Sequence, residues 1–342
     1  MTGPDPANVD RLTVSAGHGP ARELVPLAGG ANNRVYRVET ERGPALLKAY
    51  LRHPDDPRDR LGTEFAFARF AWVADLRCIP RLLACDPAAG LGLFEFVDGQ
   101  RPEQASDALV NQAVEFVCAL NAARWRPAAA SLPFASEACF SLAEHLGIVA
   151  RRVNRLAEFA PVSDLDREAI LFVRRDLLRA WELVREQTQC TARADRLSLE
   201  RPLDLPARCV SPSDFGFHNS LVTPGGRACF LDFEYAGWDD PAKLVCDFFC
   251  QPAVPVPGRH FDPFARALAG CFLDPLFVTR ARLLLPVYRI KWVCIILNEF
   301  LPRTTGRRLF STGEELEARK LRQLAIAQTA LGAVHERERS PA

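Results

Sequence analysis

The sequence predicts an α+β protein in two lobes: a small antiparallel β-rich N-terminal lobe, then a larger, mainly helical C-terminal lobe. Two changes of texture carry that prediction. Residues 24–97 run in short apolar stretches broken by turn chemistry, and Arg34-Val35-Tyr36-Arg37-Val38-Glu39 alternates polar with apolar, as half-buried strands do. Beyond Asp98-Gly99 the apolar residues recur at helical spacings in longer segments. The chain has 342 residues, enough for about two domains at roughly 150 residues each and for a sizeable buried core.

Each element follows in order. Residues 1–23 are polar and rich in Gly and Pro, and are expected to form a flexible segment. Residues 24–97 form the first lobe. Its hairpin pairs Arg34–Glu39 with Ala45–Tyr50 through the turn residues Glu41-Arg42-Gly43-Pro44. Leu61–Ala74 reads as a helix; Arg81–Cys85 and Gly92–Val97 read as two further strands joined by a turn at Asp86–Gly90. Residues 98–342 form the second lobe, with helices expected over Ala105–Arg124, Ser141–Phe159, Asp164–Gln187, Phe261–Phe272, Arg280–Leu301 and Gly313–His335. A short β-rich insert, Cys209–Asp232, and a Pro-rich loop, Pro252–Gly258, lie between them.

Composition removes several classes of function. Lys and Arg number 43 against 42 Asp and Glu, a net charge of +1, which gives no electrostatic reason to expect nucleic acid or an anionic membrane as main partner. The most apolar stretch, Leu283–Leu301, is interrupted by Pro286, Arg289, Lys291 and Glu299, and no stretch reaches the ~18 apolar residues of a membrane span. Residues 1–21 hold no apolar run of the kind a secretory signal needs. The 11 cysteines make no CxxC pair and no zinc-type cluster with histidine, and are expected as reduced, small buried apolar residues. His145, His260 and His335 show no metal spacing and are expected at surface or helix positions. The expected setting is therefore the cytoplasm, as a monomer or homodimer.

Three features carry chemistry. In Ser211-Pro212-Ser213-Asp214-Phe215-Gly216-Phe217-His218-Asn219 an Asp precedes an Asn by five residues, and a second Asp, Asp232, ends the apolar run Phe230-Leu231. Phosphoryl transfer uses such a set: one carboxylate orients the acceptor hydroxyl and takes its proton, while an amide oxygen and a second carboxylate hold Mg²⁺ against nucleotide phosphates. Asx turns and a strand-end cap would need the same residue types. Lys48 stands inside an apolar strand, where an unpaired ammonium is costly, and Glu64 follows on the next helix as a partner; a strand-edge Lys with a surface Glu is the plainer alternative. Ala28-Gly29-Gly30-Ala31-Asn32-Asn33 can turn the backbone closely around phosphates, or simply close a hairpin.

These residues, in this order, resemble the aminoglycoside phosphotransferase and choline kinase-like family of small-molecule kinases, over about residues 24–300. The resemblance implies a protein-kinase-like fold and an ATP- and Mg²⁺-dependent transfer of the γ-phosphate to a small-molecule hydroxyl of a sugar, amino alcohol or aminoglycoside-like acceptor. It implies Asp214 as the catalytic residue, Asn219 and Asp232 as metal ligands, and Gly29, Gly30, Asn32, Asn33, Lys48 and Glu64 around the nucleotide, with Glu95 and Val97 at the adenine hinge. The chain departs from the family pattern at Pro212 and Gly216, where the family usually has histidines, and carries His218 next to Asn219 instead. Glu234, Trp238, Asp239, Arg289 and Trp292 are candidate acceptor contacts: the acidic and aromatic ones suit a cationic or sugar-like acceptor, the basic ones an anionic acceptor. For Trp238 and Asp240-Pro241 the alternative is packing and helix capping. A nucleotide-binding pseudokinase or regulatory module of the same fold is the other reading of the departures.

Overall fold

The computed structural model describes residues 3–27, 33–51, 58–301 and 313–338. The chain divides into two compact units, one made of 1–136, 209–239 and 253–271, the other of 137–208, 240–252 and 272–342.

The first unit is built on a five-stranded antiparallel sheet of order β1-β2-β3-β5-β4. Its strands are β1 (Glu23–Leu27), β2 (Asn33–Thr40), β3 (Gly43–Tyr50), β4 (Leu82–Asp86) and β5 (Leu91–Glu95). Pro26 lies in β1, an edge strand, where its missing N–H costs no interior hydrogen bond. Period-2 alternation gives each strand two faces. Tyr36, Val38, Ala45, Leu47, Leu91 and Leu93 cluster on one. Lys48 and Tyr50 alternate with Leu47 and so lie on the other, towards α2 (Arg60–Val73), where Phe94 meets Phe65 edge-on.

The first 23 residues, expected to be flexible, instead carry helix α1 (Pro6–Ser15), N-capped by Asp5, whose side chain accepts from the Ala7 N–H. Val9 and Leu12 join the apolar cluster on the outer sheet face, at 2% and 3% exposure. Only three residues of α1 are buried, Val9, Leu12 and Thr13, so its sequence offers too narrow a stripe to stand out.

The rest of this unit places the predicted loop. Helix α3 (Asp107–Leu120) is capped by Ser106 and followed by a short helical turn, α4 (Arg126–Ala129). Phe116 of α3 stacks on Phe230 at 4.7 Å and lies 5.6 Å from Phe215.

The second unit is helical. It contains α5 (Leu142–Glu158), then α6 (Asp164–Phe172) and α7 (Leu178–Ala194), which run on from one another through a π-helical turn, Val173–Leu177. The predicted helix Asp164–Gln187 is this pair, extended by two turns. The first unit then resumes with two short two-stranded pieces: β6 (Cys209–Ser211), β7 (Ser220–Val222), β8 (Ala228–Phe230) and β9 (Gly237–Asp239) pair as β6-β9 and β7-β8. Helix α8 (Pro241–Cys250) returns to the second unit, α9 (Phe261–Ala269) belongs to the first, and α10 (Phe277–Ile296) and α11 (Gly313–Glu338) complete the second. Pro286 lies inside α10 rather than ending it.

In the second unit the first residue of a buried network, Asp240, caps α8 through the Ala242 N–H. Arg280 grips the same carboxylate with two bonds of 2.8 Å and reaches Asp274 at 2.5 Å. His145, expected at a surface or helix position, is on α5 but 1% exposed, bonded through Nε2 to Asp240 at 3.0 Å and through Nδ1 to the Tyr288 hydroxyl at 2.7 Å. Burial opposes the Asp240 charge, but Arg280 and His145 outweigh it and hold the carboxyl well below the ordinary range.

Candidate active site

Lys48 sits in the middle of β3, paired in register with Gly92 of β5. Its Nζ donates to Glu64 Oε1 at 2.7 Å and to Asp232 Oδ1 at 2.9 Å. The strand fixes the lysine, α2 supplies the glutamate, and the segment after β8 supplies the aspartate. Burial works against the Lys48 charge, yet the two carboxylates prevail and keep its ammonium protonated well above the usual lysine range.

Glu64 is 2% exposed and fully engaged. Its other oxygen accepts from the Tyr50 hydroxyl at 2.5 Å, and Oε1 also accepts the Phe233 N–H at 3.4 Å. Phe67, one turn along α2, stacks on Phe233 at 4.5 Å. Helix α2 therefore holds the Asp232 segment by a hydrogen bond and an aromatic contact. Tyr50 was not singled out in the sequence, although its position two residues after Lys48 puts both on one strand face.

Asp214 precedes a short 3₁₀ turn, Phe217–Asn219, which Asn219 ends. The Asn219 amide Nδ2 donates to the Asp214 carbonyl at 3.0 Å and to its Oδ2 at 3.2 Å. That commitment leaves Asn219 Oδ1 as the atom free for a cation. His218 Nε2 lies 3.2 Å from Asp214 Oδ1. Below the loop, Asn121 at the end of α3 receives the Val210 N–H at 2.7 Å and donates to the Val210 carbonyl at 3.0 Å, anchoring β6. The Leu231 N–H bonds the Asn219 carbonyl at 2.8 Å, so the two candidate metal ligands arise from adjoining strand ends.

Two residues here adopt the left-handed region, Ser213 at φ 68° and Asp232 at φ 66°. Aspartate tolerates this conformation better than most residues. Asn219 and Asp232 offer the hard oxygen donors Mg²⁺ requires, with Asp232 Oδ2 not engaged by Lys48. Among the described residues no group of three or more His, Cys, Asp or Glu side chains forms a metal cage. A two-ligand set completed by phosphate oxygens and water fits that pattern.

Gly29, Gly30 and Asn32 lie outside the described residues. Asn33, at the start of β2, donates to Glu234 Oε2 at 3.4 Å, and both are buried. Glu95 ends β5, exposed, and accepts the Arg81 N–H at 3.3 Å; Val97 is half-buried just beyond. Trp238 packs in β9, its indole N–H on the Ala129 carbonyl at 2.9 Å, and Asp239 beside it is fully buried. Arg289 and Trp292 lie on α10 in the second unit, where the Trp292 N–H bonds Asp247 at 2.9 Å next to the Lys291–Asp247 ion pair.

Residues 23–250 match the sequence model of the phosphotransferase enzyme family, APH. The chain belongs to this family. It is a phosphotransferase. Solved structures of the protein-kinase-like phosphotransferase fold align over nearly the whole chain. Spectinomycin phosphotransferase, in complex with ADP and spectinomycin, matches at TM-score 0.62 and 13% identity, over 95% of this chain and 97% of that one. A choline/ethanolamine kinase family protein from Mesorhizobium loti matches at TM-score 0.55 and 19% identity, over 96% and 97%. Choline kinase from Cryptosporidium parvum matches at TM-score 0.54 and 11% identity, over 92% and 90%. At these identities the likeness is one of fold. No curated protein matches the sequence. Among the described residues no helix is long and apolar enough to cross a membrane.

Proposed function

We propose that this phosphotransferase is ATP- and Mg²⁺-dependent and moves the γ-phosphate to a hydroxyl of a sugar, amino alcohol or aminoglycoside-like acceptor. The observation that carries the reading is the shared contact of Lys48 with Glu64 and Asp232. A buried lysine held between a helix carboxylate and a loop carboxylate is poised to pair with nucleotide phosphates beside a metal.

Mg²⁺, when bound, neutralises the charge that develops on the transferring phosphoryl group. Asn219 Oδ1 and Asp232 Oδ2 would hold it. Asp214 would accept the acceptor's hydroxyl proton, its carboxylate held by His218 and Asn219. Asn33 and the turn before it would border the nucleotide phosphates, and Glu95 and Val97 the adenine. Glu234 is the acceptor contact best supported by position, being buried in the same unit two residues after Asp232. The work is positioning and charge neutralisation.

The test is ATP consumption with and without Mg²⁺, by wild type and Asp214→Asn, against sugars, amino alcohols and aminoglycosides. Stimulation by one compound, lost in the variant, supports the reading and names the acceptor class. ATP binding without turnover on any compound would favour a pseudokinase, the reading that Pro212 and Gly216 motivate. Absence of ATP binding would overturn both.

A further inference from the structure

Outside the set already assigned, the polar side chain of His218 touches the candidate catalytic carboxylate. His218 approaches Asp214 Oδ1 through Nε2 at 3.2 Å, while Asn219 takes Oδ2 at 3.2 Å from the other side. The His218 side chain is 20% exposed, against 39% for Asp214. Its second ring nitrogen, Nδ1, is buried with no hydrogen-bond partner among the described residues.

An ionised carboxylate only accepts, so Nε2 must carry the proton in this contact. Asp214 in turn is gripped at both oxygens. Its plane is fixed by two donors carried on adjoining residues of one 3₁₀ turn.

We propose that His218 is a positioning residue for Asp214, acting through that carboxylate and contacting neither phosphate nor metal. The proposal rests on the functional reading above, in which Asp214 meets the acceptor hydroxyl. Losing that orienting bond lets the carboxylate rotate away from the line of attack, and the loss of such a supporting partner costs on the order of 10–100-fold in activity.

The experiment compares His218→Leu and His218→Gln, alone and combined with Asp214→Asn, using Mg·ATP and the stimulating acceptor, or water as acceptor if none stimulates. His218→Leu should lower kcat with the KM for ATP unchanged. His218→Gln, whose amide nitrogen reaches the same place as Nε2, should recover most of the loss. In the Asp214→Asn background, His218→Leu should cost nothing further. Turnover that falls in Asp214→Asn but not in His218→Leu overturns this proposal alone. So does a loss that multiplies in the double variant, or one that Gln does not rescue at equal Tm. Wild-type turnover indifferent to Asp214→Asn overturns the functional reading and this proposal with it.

Discussion

Lys48 and Asp232 stand 184 positions apart in the chain, and their side chains meet at 2.9 Å. Glu64 holds the same ammonium at 2.7 Å from the opposite side. One cation thus satisfies two carboxylates, of which Glu64 is nearly inaccessible to water and Asp232 about a quarter exposed. The arrangement separates stability from catalysis in a measurable way.

Replacing Lys48 by Met leaves Glu64 buried without its cation. Breaking a buried pair by removing one partner costs about 3–5 kcal/mol, so the single variant should unfold at clearly lower denaturant concentration. Adding Glu64→Gln should restore part of that stability. Turnover should stay low in both, by roughly 10²–10³-fold, since the group proposed to pair with the phosphates is gone from each. Recovery of activity along with stability in the double variant would sink the proposed role of Lys48.

Asp232 is in the left-handed region at φ 66°. Asp232→Asn and Asp232→Ala should both abolish Mg²⁺-dependent turnover. They should differ in folding, because alanine lacks a short polar side chain to ease that conformation and suffers a penalty of about 1–2 kcal/mol there. Thermal melts of the two variants read the difference. Full activity in either variant would refute the metal-ligand assignment.

Gly237 opens β9 at a close crossing of two backbone segments. A Cβ built there would lie 2.3 Å from the Pro133 carbonyl oxygen and 2.7 Å from the Ala135 nitrogen. Neither atom is the end of a flexible side chain, so the backbone itself must shift. Gly237→Ala should destabilise the protein by about 1–3 kcal/mol or more. Because β9 pairs with β6, which leads into the Asp214 loop, activity per folded molecule should fall as well. A Tm equal to wild type would contradict the close approach.

Asp240 gives a pH dependence with a definite sign. Its carboxyl is held well below the usual range by Arg280 and His145 despite burial. A depressed carboxyl contributes stability above its unfolded pKa of about 3.9, and that contribution disappears as pH falls further, towards the folded value. Arg280→Met should remove most of it, costing about 3–5 kcal/mol at pH 7 and progressively less as pH falls below about 4 towards the folded value. Denaturant unfolding at several pH values would read this; an equal deficit at all pH values would show the arginine acting by packing alone.

Parts of this architecture were legible from composition alone. Lys48 announced itself as a charge inside an apolar strand, and Glu64 as a carboxylate on the next helix. Asp232 could be joined to them only through resemblance, because no local pattern encodes a contact across 184 positions. His145 looked like an ordinary helix histidine; its partners, Asp240 and Tyr288, lie 95 and 143 residues away. Tyr50 was within reach of strand periodicity, two places from Lys48. The grip of Asn121 on Val210 spans 89 residues, and nothing in the sequence around Asn121 marks it.

Helix α1 carries a practical consequence. Its two buried apolar side chains, Val9 and Leu12, cap the outer face of the sheet where Tyr36, Val38, Leu47 and Leu93 gather. Trimming the first twenty residues as though they were a dispensable tail would bare a continuous apolar β surface beside the edge strand β1, the combination by which sheets adhere to one another. The shortened protein would keep Lys48, Glu64, Asp214, Asn219 and Asp232, and could still be lost to clumping before any of them was assayed.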